Sequence, residues 1–164
     1  MQHQVALLQH AHMYNRWCLT DIEFTASVGV KISQNERRER KHVSRVVPLA
    51  IAASTEAVKD AGLDPSSMSM DEKREIGVVL GTGGGAQEFS EEQYRLWHAG
   101  QIRQVSLFCI PSGTMGTIPS EISMRFGFRG YSHVVTAGCT SSTDALGYAY
   151  QHIQAGVQAM FLVG

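Results

Sequence analysis

Residues 133–163, HVVTAGCTSSTDALGYAYQHIQAGVQAMFLV, constrain the fold more than any other stretch of this chain. A β-rich run, HVVTA (133–137), passes directly into small and polar residues that read as a helix start. The helix pattern continues through CTSSTDALGYAYQHIQAG (139–156) to a glycine stop at Gly156, and AMFLV (159–163) is again a strand. Strands alternating with helices argue for an α/β fold in layers. The turn between HVVTA and its helix holds a single cysteine, Cys139.

The upstream chain extends the same alternation. VVPLAIAASTEAVKDAGLDP suits a buried helix of about 14 residues, with Gly62 as its C-terminal stop and Pro65 just beyond. EIGVVLGT (75–82) reads as a strand that enters a loop, and FSEEQYRLWHAG as a helix ending at Gly100. VSLFCIPSGTMGTIPSEISMRFGFRG (105–130) contains a strand-like LFCIP, a loop, and a helix that stops near Gly127. Residues 1–20 are poorly patterned and show no obvious strand. AMFLV is followed only by Gly164, with nothing evident to pair or cover it. The expected organisation is a poorly defined segment, 1–24, and one domain, 25–164, cut at both ends.

A length of 164 residues, 43% hydrophobic and 18% charged, suits one globular domain, and a net charge of −1 gives no footing for nucleic acid or an anionic membrane surface. MQHQVALLQHAHMYNRWCL is not a signal peptide, and no apolar run reaches the ~20 residues that span a bilayer. Three cysteines without C-x-x-C spacing argue against a disulfide framework or a zinc site and favour a reducing cytoplasm.

GTGGGA (81–86) formally fits the G-x-G-x-x-A dinucleotide pattern after a strand. Against a nicotinamide cofactor, the next strand-like run, VSLFCI, ends without an acidic residue for a ribose, and QEFSEEQ puts acid where a pyrophosphate would sit. A glycine loop that lets backbones pack closely is the favoured reading. The basic cluster Arg37, Arg38, Arg40, Lys41 and Arg45, interrupted by Glu36 and Glu39, reads as a solvated face, or as a docking surface for an acidic partner. His10 and His12 form no H-x-x-x-H pair, and His98, His133 and His152 fit packing or surface roles; no metal site is expected.

Free cysteines are usually small buried hydrophobes. Cys139 differs because unpaired N–H groups and the positive end of a helix converge on its position, a setting that favours a thiolate and supplies donors to an oxyanion. Thr140, Ser141, Ser142, Ala145, Gly147 and Ala149 would let the following helix sit deep between layers, with the thiol at the end of a narrow tunnel. That makes Cys139 a candidate nucleophile.

VVTAGCTSSTDALGYAYQHIQAG resembles the nucleophile segment of the β-ketoacyl synthases, the condensing enzymes of fatty-acid and polyketide assembly. RVVPLAIAASTEAVKDAGLDP resembles their first long helix, IGVVLGTGGG their glycine loop, and FCIPSGTMGTIPSEISMRFGFRG the segment before the nucleophile strand. The G-C-T-S wording leans toward type II polyketide or fatty-acid systems. The resemblance implies a thiolase-like layered α-β-α fold, here the N-terminal half with a mixed sheet. It implies that Cys139 accepts an acyl group from an acyl carrier protein for decarboxylative condensation with a malonyl-carrier. Cys109 and Ile110 would approach the acyl pocket across a homodimer or ketosynthase heterodimer interface, with HVVTA near that interface. No resident cofactor is implied, since substrates ride on the carrier's phosphopantetheine. Two catalytic histidines and a supporting lysine would lie beyond Gly164, so the chain alone would not condense. A non-catalytic carrier-binding or assembly partner and, more remotely, a nicotinamide-dependent domain using GTGGGA are the alternatives.

Overall fold

IGVVLG forms the strand around which the rest is assembled. In the computed structural model, which describes residues 4–7 and 43–164, this strand, β2 (Ile76–Gly81), lies between β4 (Met160–Val163) and β3 (Ser132–Val135), and β1 (Gln4–Leu7) borders β4. The order is β1-β4-β2-β3, and every pairing among the described residues is parallel. Val78 stands opposite Leu162 on one side and Ser132 on the other. A strand covered on both faces has no polar face to show, which is why β2 reads as an unbroken apolar run. Ile76, Val78, Val79 and Leu80 are all buried.

Helices cover both faces. α1 (Val46–Asp60) and α5 (Thr117–Phe126) pack with Ile76, Val78, Leu80 and Leu162 on one face, through Val47, Val58, Ile118 and Ile122. α6 (Ser141–Gln154) lies on the other, where Ala145, Ala149 and Ile153 meet Val79, Phe161 and Val163. The direction of travel explains this division. From β1 to β2 and from β2 to β3 the chain moves one way across the sheet, whereas β3 to β4 runs back past β2. Right-handed crossovers then require the returning helix, α6, to take the opposite face. The result is the expected α-β-α layering.

Three further α-helices lie among the described residues: α2 (Met70–Arg74), α3 (Gln87–His98) and α4 (Cys109–Gly113). α2 is closed by a capping box, in which the Ser69 hydroxyl accepts from the Glu72 N–H and the Glu72 carboxylate accepts from the Ser69 N–H. No described helix is long and apolar enough to cross a membrane.

Several expectations change. A strand does occur before residue 20, and it pairs with β4 from Gln4↔Met160 to Leu7↔Val163. β4 is therefore central, paired on both sides. The mixed sheet is not found among the described residues. LFCIP is not a strand: Leu107 and Phe108 form a turn, and Cys109 begins α4. Ser106 directs this, because its hydroxyl accepts from the Phe108 N–H and its carbonyl from the Cys109 N–H. Arg37, Arg38, Arg40 and Lys41 lie outside the described residues, as do His10 and His12.

Candidate active site at the strand ends

In a parallel sheet the carboxyl ends of the strands open onto loops, and a reversal of strand order leaves a crevice between them. Here that reversal falls between β3 and β4, and the loop that makes it carries Cys139. After Val135 the chain runs to Gly138, whose φ of 65° is left-handed backbone that a glycine enters without a Cβ clash. Gly138–Thr140 is then a single 3-10 turn, and α6 starts at Ser141. Cys139 therefore sits in the turn before the helix rather than inside its first turn, and its side chain is exposed.

The turn is held by its own polar side chains. Ser141 Oγ accepts from the Ala137 N–H at 2.8 Å and donates to Gly138 O at 2.6 Å. The Thr140 hydroxyl lies 3.0 Å from Ala137 O and 3.2 Å from the Asp144 carboxylate. Asp144 in the first turn of α6 also suits the positive end of that helix.

The glycine loop braces the turn from beside it. A Cβ on Gly81 would fall on the Ser141 backbone, so only glycine lets β2 and the start of α6 approach this closely. A Cβ on Gly83 would stand 3.7 Å from the Gly138 backbone. Close packing, the favoured reading of GTGGGA, is what the structure shows. Three of the loop's N–H groups are also occupied: Gly81 donates to Gly164 O, Thr82 to Val135 O, and Gly85 to Thr82 Oγ1. Glu88, in the first turn of α3, accepts from Ser44 Oγ at 2.6 Å and from the Arg45 N–H at 2.8 Å. A dinucleotide would meet N–H groups already engaged at Gly81, Thr82 and Gly85 and an acidic residue in the first turn of the helix. The VSLFCI argument against that cofactor falls with its strand, but these bonds replace it.

Cys109 and Ile110 come together at the start of α4, where with Tyr94, Trp97 and Val105 they line an open groove of about 190 Å³ against α3. Ile110 is 74% exposed. Cys139 is not part of that groove. Nor is α6 enclosed on several sides: Ser141, Ala145 and Ala149 are buried against the sheet, while Leu146 and Tyr150 on its outer surface are exposed. Among the described residues the thiol lies in no tunnel. Sequence reasoning missed Ser141 and Thr82 as braces of the turn; the signals available were a hydroxyl between two glycines at Thr82 and a hydroxyl opening the helix at Ser141.

His133 and His152 belong to a ladder of rings along β3 and α6. Tyr148 stacks on His133 at 5.0 Å and on His152 at 4.0 Å, with Tyr131 5.3 Å from His152. The Tyr131 hydroxyl, hydrogen-bonded to Tyr148, pushes the Tyr148 phenol up to about 12, with burial adding to the rise.

The sequence matches the family "Beta-ketoacyl synthase, N-terminal domain" over residues 12–164. It is 33% identical over 130 residues to a polyketide β-ketoacyl synthase of Streptomyces halstedii, covering 76% of this chain and 30% of that protein. It is 30% identical over 130 residues to 3-oxoacyl-[acyl-carrier-protein] synthase 2 of Staphylococcus aureus, covering 79% and 31%. The chain thus spans about a third of the length of these relatives. Among solved structures, a type II polyketide ketosynthase in complex with its acyl-carrier protein superposes with a TM-score of 0.69 at 22% identity, over 79% of this chain and 36% of that one. The ishigamide ketosynthase/chain length factor superposes with a TM-score of 0.66 at 26% identity, over 82% and 37%.

Proposed function

The chain belongs to the β-ketoacyl synthase family through its N-terminal domain, and from that premise we propose that it supplies the acyl-accepting half of a decarboxylative condensation. Cys139 Sγ attacks the thioester carbonyl of an acyl group delivered on the phosphopantetheine of an acyl carrier protein. The carrier thiolate leaves and the acyl group stays on Cys139. A malonyl-carrier then loses CO₂, its carbanion attacks the acyl thioester, and Cys139 is released. The N–H at the helix start donates to the tetrahedral oxyanion. Condensation uses the two histidines and the lysine that the resemblance places beyond Gly164.

The observation that carries this reading is the placement of Cys139. An exposed thiol stands at the reversal of strand order, in a turn braced by Ser141 and by the glycine loop, directly before α6. Cys109 and Ile110, lining their groove, are read as acyl-pocket residues completed across a homodimer or ketosynthase heterodimer, with β3 near the interface. The reading needs no resident cofactor and suits a cytoplasmic enzyme of fatty-acid or polyketide synthesis.

The test is to incubate the intact protein with an acylated carrier and locate the adduct by mass spectrometry. The expected result is one acyl group on Cys139 and none on a Cys139→Ala protein. Equal charging of Cys139→Ala would refute the assignment. A wild-type protein that binds carrier yet is never acylated would establish the non-catalytic carrier-binding alternative instead.

A further inference from the structure

Met115 lies in the loop between α4 and α5, half-buried, with its side chain engaged along its length. A Cβ on Gly85 would come within 2.6 Å of Met115 Cγ, so the glycine loop gives way to this side chain at a residue whose φ is 58°. At the far end, Met115 Sδ accepts a hydrogen bond from Thr136 Oγ1 at 3.3 Å. Thr136 is three residues before Cys139, and the next N–H, that of Ala137, is already tied to Ser141 Oγ.

Beyond the close approach of Gly81 and Gly83, two further links join the glycine loop to the segment that leads into the cysteine turn. One join is backbone: the Thr82 N–H donates to Val135 O at 3.0 Å. The other is the Met115 side chain, wedged between Gly85 and Thr136. We propose that Met115 is a positioning residue for Cys139, its thioether holding Thr136 against the glycine loop so that the turn presents the thiol in one orientation. A thioether suits this place because it fills an irregular gap and still accepts a hydrogen bond. Leucine would fill the gap and leave the Thr136 hydroxyl facing a methyl group.

The inference rests on Cys139 being the acyl acceptor, and the test separates the two. An acyl-N-acetylcysteamine thioester serves as the probe on the intact protein, and Cys139 acylation is followed by mass spectrometry as a function of thioester concentration. Loss of alignment slows the saturated step without weakening binding, so Met115→Ala is expected to lower the saturating rate about tenfold at an unchanged half-saturation concentration. Met115→Leu and Thr136→Val, which keep the volume, should each lower it about threefold, and the double variant no further, because one link has been removed once. Saturating rates for both conservative variants within about twofold of wild type, or losses that multiply in the double variant, overturn the inference. A half-saturation concentration that rises in step with the lost rate overturns it too. A wild-type protein that is not acylated at Cys139 overturns the acyl-acceptor reading and this inference together.

Discussion

On one face of the sheet, α1 and α5 meet β2 through Val47, Val58, Ile118 and Ile122, branched side chains whose volume fills the space between layers. On the other, α6 presents Ser141, Ala145 and Ala149, small residues four apart, and comes so close that Gly81 has no room for a Cβ. Both faces exclude water, yet at the start of α6 the second leaves almost no side-chain volume between helix and strand, and only farther along do Ile153 and Phe161 fill it. The start of α6, and with it Cys139, is thereby fixed by backbone against backbone, which has fewer ways to relax than interdigitated side chains. The bulky face gives the domain its core, and the close face gives the thiol its place.

This difference can be broken by mutation. A core that works by volume suffers when it shrinks: Ile122→Ala should cost about 4 kcal/mol in urea denaturation of the intact protein, with Cys139 acylation largely retained in the folded fraction. A contact that works by proximity suffers when it grows: Gly81→Ala should cost about 3 kcal/mol, because the added carbon meets Ser141 backbone that cannot rotate away. Unlike Ile122→Ala, it should also slow acylation in the folded protein. Should the two variants lose acylation alike, the proposed division of labour is wrong.

Smaller effects sharpen the contrast away from the two faces. Ser69→Ala removes the cap of an exposed helix and should cost about 1 kcal/mol with no effect on acylation. Tyr131→Phe should return the Tyr148 phenol from about 12 toward its ordinary value near 10, read as a shift in the ultraviolet titration of tyrosinate. A phenol whose folded value is raised contributes stability fully present below pH 10 and lost as pH rises toward 12. The variant should therefore differ from wild type in pH sensitivity only within that alkaline window. An unchanged titration would remove the Tyr131 bond as the cause.

The long alternating elements were legible because each carries its own period and stop. Val46–Asp60 ends just before Gly62, Thr117–Phe126 at Gly127, and Ser141–Gln154 just before Gly156, with each of these glycines in left-handed backbone. α2 escaped notice although SMDE is a capping-box pattern, because so short and exposed a helix has no apolar stripe. LFCIP misled because a short apolar run has no period of its own; Ser106 and the packing of α4 on α3 decide it.

By itself, the sequence determined the long helices with their glycine stops, the strands β2 and β4, and the position of Cys139 before a helix of small residues, because each depends on neighbours within one turn or one strand. Only the tertiary structure decided that QVAL is a strand, that β4 is central, and that Met115, Gly85 and Thr136 meet beside the cysteine turn. Those features join residues far apart in the chain. Which distant partners meet depends on the packing of the whole sheet and its helices, and no local pattern of residues records that choice.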